Sequence, residues 1–96
     1  MNMKSTRDEV YAAIDFERRY QDKWDLERAV AGLPLRDADM AVEAWLVWMD
    51  VYLQRAKELA ATDVHKGGVL DGVRKIAALA VACMEAHGVS HRAQGK

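Results

Sequence analysis

The chain has 96 residues, of which 51% are hydrophobic and 30% charged, and its formal net charge is −1. This balance suits one domain and excludes the strong positive field that long nucleic acid requires. The single cysteine, Cys83, excludes an internal disulfide framework, favours a reducing compartment and is expected to pack as a small apolar side chain. No apolar run reaches the roughly 18–20 residues that span a bilayer, and the start lacks a hydrophobic signal region, so we expect a cytoplasmic protein without membrane partners.

The first helix is predicted over about residues 6–29. Thr6 and Glu9 have the spacing of a capping box, which marks its start. Apolar residues then recur at three- and four-residue intervals along one side: Val10, Ala13, Tyr20 and Trp24. Glu17 falls inside the same stripe. The helix is expected to end at residues 31–34, where glycine favours a C-terminal cap and proline cannot continue the hydrogen-bond ladder.

The second helix is predicted over about residues 39–61, with Asp37 or Asp39 as its N-terminal cap. Its sequence MAVEAWLVWMDVYLQRAKELA contains Trp45 and Trp48 and is apolar nearly all round. Such a helix is expected to lie centrally or to be covered by another subunit. One polar line remains, formed by Glu43, Asp50, Gln54 and Lys57.

The third helix is predicted over about residues 70–87, after a glycine-containing turn at residues 62–68. Its centre lacks charge, and four alanines keep it thin enough for another helix to approach closely: Ala77, Ala78, Ala80 and Ala82. Gly88 is the expected C-terminal cap, and residues 89–96 are expected to form a flexible tail.

These elements predict an all-α fold, with residues 1–96 forming a single helical domain of three helices. Two of the helices are apolar on more than one face, so a monomer would expose a large apolar patch. We therefore expect a three-helix protomer that completes a helical bundle by oligomerisation, most simply as a homodimer.

A run of cations with interleaved aromatic side chains near the end of the first helix is the main candidate for a ligand site. It comprises Arg18, Arg19, Tyr20, Lys23 and Trp24. Arginine offers a fork of donors to phosphate, and an aromatic ring offers a stacking surface to a base. Arg74 or Lys75 of the third helix would add phosphate contacts. The alternative is a solvated helix face, and acids that argue against long nucleic acid interrupt the run at Asp15, Asp22 and Asp25.

Glu17 is a second candidate, because a carboxylate within an apolar stripe is costly unless it is paired. It either contacts a ligand or a metal, or pairs with a cation of a neighbouring helix. The cations that could serve are Arg55, Arg74 and Lys75.

Glu43 and Asp50 lie two turns apart on one helix face and could hold Mg²⁺, which prefers carboxylate oxygens. The alternative is an ordinary solvated line near Lys57. The histidines form no convincing metal set, and the sequence has no P-loop, dinucleotide fingerprint, Cys-x-x-Cys or nucleophile elbow. No resident cofactor is expected outside the Mg²⁺ alternative.

Three stretches, AIDFERRYQDKW, EAWLVWMDVYLQRA and VRKIAALAVACMEAHG, resemble small phage-encoded helical proteins described as MazG-like. The resemblance covers most of Ala12 to Gly88. It implies an all-α oligomer built from helix bundles, related to Mg²⁺-dependent nucleoside triphosphate pyrophosphohydrolases. A phage origin would place the protein in the host cytoplasm.

Pyrophosphohydrolases of this kind hold Mg²⁺ with clustered acids, typically Glu-Glu-x-x-Glu followed by Glu-x-x-Asp. This chain contains no Glu-Glu pair, no Glu-x-x-Glu and no Glu-x-x-Asp. Ala44 and Tyr52 stand where the resemblance leads us to expect acids. The departure favours a protein that keeps the fold and lacks the reaction, since a charged cluster is what neutralises the metal and orients water.

The leading hypothesis is therefore a non-catalytic helical oligomer that binds a small phosphorylated ligand, either a nucleotide or a nucleotide-derived signal. Sequestration of a host defence messenger by a phage protein is one concrete version. The first alternative is a MazG-like pyrophosphohydrolase that uses Glu17, Glu43 and Asp50 around Mg²⁺. The second is a protein-binding inhibitor or adaptor that uses the Trp45 and Trp48 surface.

Overall fold

A computed structural model of the chain describes residues 4–30, 40–62 and 66–93, the side chains of 25–30 excepted. Its regular elements are three helices: α1 (Arg7–Val30), α2 (Val42–Ala60) and α3 (Gly67–His87). Within these described ranges there is no strand, and the predicted all-α class is confirmed. The predicted end of the first helix at residues 31–34 lies outside the described residues.

The start of α1 is fixed by the predicted capping box. The Glu9 backbone N–H donates to Thr6 Oγ1 at 3.2 Å, and the Thr6 backbone N–H donates to Glu9 Oε1 at 3.1 Å. The two residues thus satisfy backbone donors that a helix start leaves without a partner. The bond from the Thr6 backbone N–H, and after it a bond from the Thr6 hydroxyl to the same Oε1 at 3.0 Å, hold the pKa of Glu9 below its ordinary value.

The start of α2 differs from the prediction. The helix begins at Val42, with Ala41 in extended conformation (φ −64°, ψ 155°) at the cap position and no side-chain capping hydrogen bond. Asp37 and Asp39, the predicted caps, lie outside the described residues. The first turn still carries an acid, Glu43, which is favourable at the positive end of the helix dipole.

The start of α3 at Gly67 lies three residues before the predicted Leu70. Lys66 precedes it in the left-handed region (φ 61°), and its Nζ donates to the Ala60 carbonyl at 2.6 Å. Lys66 therefore joins the last turn of α2 to the first turn of α3. Gly67 and Gly68, which were predicted to form a turn, belong to α3. At the other end the prediction is confirmed: Gly88 (φ 94°) caps α3, and its N–H donates to the Met84 carbonyl at 2.7 Å.

The central helix is α3, and α1 and α2 each pack against it. Along the described residues, α1 and α2 do not pack against each other. α2 runs antiparallel to α3: the His87 ring meets the Met40 carbonyl at one end, and Ala56 meets Gly72 at the other. A Cβ added at Gly72 would lie 3.3 Å from the Cβ of Ala56, so glycine permits this close approach. Of the two alternatives for the second helix, a central position is not found in this protomer, and coverage by another subunit stays a prediction.

The core is small and lies between α2 and α3. Trp45 and Leu79 are 1% exposed and pack with Ala82, while Cys83 lies half-buried against them. By contrast, the whole chain exposes 7775 Å², whereas a compact monomer of its mass exposes about 5,500 Å². Its radius of gyration is 15.4 Å, against about 12.5 Å for a compact domain of this length. The protomer is therefore flat and unusually exposed.

Candidate functional site

The basic and aromatic side chains of α1 form a surface that we call the α1 patch: Arg19, Tyr20, Lys23 and Trp24. One turn of helix brings residues four apart onto the same side, which pairs Arg19 with Lys23 and Tyr20 with Trp24. The two aromatic rings lie edge to face, with centroids 6.2 Å apart and an interplanar angle of 76°. Each of the two aromatic residues is 49% exposed, so their rings present accessible surface beside the cations.

Arg19 has only a weak partner inside the protein. Its Nε lies 3.0 Å from Asp15 Oδ2, but the two side chains are 79% and 62% exposed. Exposed pairs of this kind contribute about 0–1 kcal/mol, because water screens them and both side chains lose rotamer freedom. Lys23 is exposed and forms no ion pair with any residue the structure describes. Both cations are therefore available to an external anion at little cost.

Arg18 differs from its neighbour because it points inward toward α3. Its Nε donates to Glu85 Oε1 at 2.7 Å, its Nη2 lies 2.9 Å from Asp22 Oδ1, and its side chain is 13% exposed. Burial alone would lower the pKa of Arg18, but the hydrogen bonds to Glu85 and Asp22 outweigh it, and the pKa is raised. Arg18 thus joins α1 to α3, and two of its nitrogens, Nε and Nη2, are engaged by carboxylates.

Arg74 is also engaged within the protein. Its Nε donates to Glu17 Oε1 at 2.9 Å and its Nη1 to Asp71 Oδ1 at 2.7 Å. These two bonds raise the pKa of Arg74, and the bond to Glu17 is the larger cause. The Glu17 side chain is only 12% exposed. A carboxylate with so little access to water needs a cation partner, and Arg74 is that partner. Among the alternatives for Glu17, the structure shows the ion pair.

An open groove of about 390 Å³ lies between α1 and α3. Its walls include Tyr11 and Ile14 from α1 and Val81 from α3, and its charged residues are Asp15, Arg18, Arg19, Asp22 and Glu85. Acids outnumber arginines there, and each arginine is paired with one or two of those acids. The interior of the groove therefore disfavours an anion, and the outward side of Arg19 is the more favourable position.

Lys75 lies apart from the α1 patch, at the contact between α2 and α3. Its Nζ is 5.8 Å from the centroid of the Tyr52 ring, and the Arg55 guanidinium carbon is 5.5 Å from the same centroid. Neither cation pairs with a carboxylate within the described part of the chain. Arg55 was not predicted as a ligand residue, although its spacing of three from Tyr52 on one helix could have indicated this contact with the ring. The contact of Lys75 with the same ring depends on how α2 and α3 pack, which the sequence does not show.

The three candidate metal ligands do not converge. Glu17 faces α3 and is bound by Arg74, whereas Glu43 and Asp50 are exposed on α2. Gln54 Nε2 approaches Asp50 Oδ1 at 3.5 Å, as expected for a polar line facing solvent. Across residues 4–30, 40–62 and 66–93, no group of three or more histidine, cysteine or acidic side chains could hold a metal ion.

Comparison of the chain with protein-family models, with curated proteins and with solved structures finds no match. The resemblance to MazG-like proteins therefore stays a prediction. Within the described ranges, no helix is long and apolar enough to cross a membrane.

Proposed function

We propose that this chain is a non-catalytic helical oligomer whose α1 patch binds a small phosphorylated ligand, either a nucleotide or a nucleotide-derived signal. The observation that supports this proposal is that the patch combines two accessible cations with two accessible aromatic rings on adjacent sides of one helix. Arg18, Arg74 and Lys75 have structural partners and are assigned supporting roles outside the direct contacts.

Binding would begin with an exchange of partners at Arg19. A terminal phosphate carries more charge than the Asp15 carboxylate and offers more acceptor oxygens, so it would displace an exposed and weakly held pair. Lys23, one turn further along, would contribute a second cation. The base attached to that phosphate would then reach the Tyr20 and Trp24 rings, where stacking contributes about 1–3 kcal/mol.

Self-association is supported by the surface of the protomer. The chain exposes about 2,200 Å² more than a compact monomer of its mass, estimated from the scaling of surface with size. This excess exceeds the roughly 800 Å² that each partner buries in a standard interface. A phage origin, implied by the MazG-like resemblance, would make sequestration of a host defence messenger in the host cytoplasm a concrete form of this function.

The pyrophosphohydrolase alternative is less well supported. Phosphoanhydride cleavage of this type needs carboxylates gathered around Mg²⁺. Glu17 is bound by Arg74, and Glu43 and Asp50 lie on a separate solvent-exposed side of α2. The adaptor alternative was predicted to use Trp45 and Trp48, but Trp45 is 1% exposed and belongs to the core. The observation in its favour is the other apolar surface that α2 exposes, including Leu46 at 56% and Val47 at 63%.

Isothermal titration calorimetry against a panel of nucleotides and cyclic nucleotides tests the ligand proposal. Arg19→Ala and Lys23→Ala should each weaken binding by on the order of tenfold to a hundredfold, because each removes one charge-assisted contact of roughly 1.5–3 kcal/mol. Subunit number, measured by light scattering, should stay unchanged in both variants.

Arg7→Ala is the matched control, since it removes an exposed arginine from the same helix about 18 Å away along the axis. It should bind as wild type does. The ligand proposal fails if no member of the panel binds, or if both patch variants retain wild-type affinity.

A further inference from the structure

One side of the α2–α3 pair carries two parallel rows of apolar side chains. The α2 row is Val42, Leu46, Met49 and Leu53. The α3 row is Val73, Ala77, Ala80 and Met84. At 100° of rotation per residue, the α2 row lies about 60° and the α3 row about 140° from the line along which the two helices touch. Each row is displaced from the contact line in the same rotational sense when its helix is followed from N- to C-terminus. Because the two helices are antiparallel, this places both rows on the same side of the pair. We call the surface formed by these two rows the hairpin face.

The hairpin face is apolar and accessible. Leu46 is 56% exposed, Val73 51% and Met84 43%, while Ala77 and Ala80 are half-buried. Neither row includes a charged residue, and the polar line of α2 lies beyond the outer edge. An apolar centre with a polar rim is the anatomy of a protein interface.

The spacing of the rows indicates that the occupant is a second copy of this chain. Each row has intervals of four, three and four residues, so it reads the same in both directions. The centres of the rows, between Leu46 and Met49 and between Ala77 and Ala80, lie at nearly the same level of the hairpin, where Trp45 packs against Leu79. A two-fold axis through that level therefore places every apolar position opposite another apolar position.

Size and charge agree with this occupant. The whole chain exposes about 2,200 Å² more than a compact monomer of its mass, and a standard interface takes roughly 800 Å² from each partner. A net charge of −1 per chain produces little repulsion between copies. The alanines at the centre of the α3 row allow close approach of the second copy, and the larger side chains at the ends of each row fill the space where crossing helices diverge.

We propose that two copies pack through their hairpin faces and form a four-helix bundle from two α2–α3 pairs, with α1 on the outside of each. This inference deepens the proposed self-association by naming the surface that mediates it. It also leaves the outward side of α1, with the α1 patch, exposed in the assembly.

The test compares two adjacent exposed residues of α2. Leu46→Glu places a charge on the hairpin face, whereas Val47→Glu places the same charge on the outward side of the helix. Because Leu46 and Val47 are 56% and 63% exposed in the protomer, both variants should fold. Val73→Glu repeats the test on α3, and far-UV circular dichroism checks helix content in each case.

Light scattering and sedimentation should show an oligomer for wild type and for Val47→Glu. The dissociation constant should rise by on the order of a hundredfold or more for Leu46→Glu and Val73→Glu, since an unpaired buried charge is costly at an interface. Two results would show that the hairpin face is not the interface while leaving self-association intact. In the first, wild type associates and both Leu46→Glu and Val73→Glu keep the oligomer mass. In the second, Val47→Glu is the variant that dissociates and the other two do not. A monomeric wild type would overturn both the self-association and the hairpin-face interface, and the apolar face would then be assigned to a different protein.

Discussion

At the scale of single residues, the ion pair of Glu17 and Arg74 shows how an awkward position in the sequence is resolved. Glu17 lies on the side of α1 that faces α3, where a carboxylate needs a cation, and Arg74 was one of three cations that the sequence offered. The side chain of Glu17 is 12% exposed, while Asp71, the other carboxylate that binds Arg74, is 60% exposed. The two acids share one cation but differ in their access to water, so their contributions to stability should differ.

Glu17→Ala should lower the free energy of unfolding by about 1–3 kcal/mol, the range for a hydrogen bond to a charged group with partial burial. Asp71→Ala is the control, and it should cost less than about 1 kcal/mol because its side chain is solvated. Urea unfolding followed by circular dichroism measures both. Equal losses for the two variants would show that the burial of Glu17 has no energetic importance.

The arginines Arg18 and Arg19 mark the limit of prediction for the candidate site. Both were predicted to hold phosphate, because adjacent residues of the same type cannot be distinguished by spacing alone. The structure turns Arg18 toward Glu85, which is 67 residues away along the chain. That pairing depends on how α1 lies on α3, and no local pattern in the sequence encodes it.

At the scale of elements, the helix ends were predictable where local chemistry determines them. The capping box at Thr6 and the positive-φ glycine cap at Gly88 each depend on a few neighbouring residues. The start of α3 was predicted three residues too late, since paired glycines usually indicate a turn. There, Lys66 adopts the left-handed conformation and binds the end of α2, a contact between two elements.

The capping box also predicts a dependence on pH. The pKa of Glu9 is lowered by its bonds to Thr6, so the ionised form is favoured in the folded state. Its stabilising contribution is therefore fully present above the ordinary carboxyl pKa, and it is lost as the pH falls through the lowered value. As the pH is lowered from 6 to 3, the melting temperature of wild type should fall more steeply below about pH 4.5 than that of Glu9→Gln.

Glutamine can form the same capping contact without titrating, so Glu9→Gln isolates the charge. Thr6→Ala should flatten the pH dependence only in part, because it removes the hydroxyl contact with the ionised Glu9 and keeps the backbone N–H bond that contributes most. A melting curve for Glu9→Gln that runs parallel to wild type across this range would contradict the assignment.

At the scale of the whole molecule, the sequence predicted an excess of apolar surface but not where it would lie. A helix that is apolar on several sides does not reveal which side its neighbours cover. The structure makes α3 central, leaves α2 exposed on its outer sides and separates α1 from α2. The resulting protomer is 23 Å thick in its shortest dimension, which corresponds to about two layers of helix.

Native mass spectrometry of the freshly purified protein at micromolar concentration tests the central claim most directly, because it measures subunit number and retained ligand together. We expect a mass of at least two 10.8 kDa subunits carrying a bound phosphorylated molecule that dissociates unchanged on denaturation. A single bare subunit of 10.8 kDa would contradict both the self-association and the ligand site.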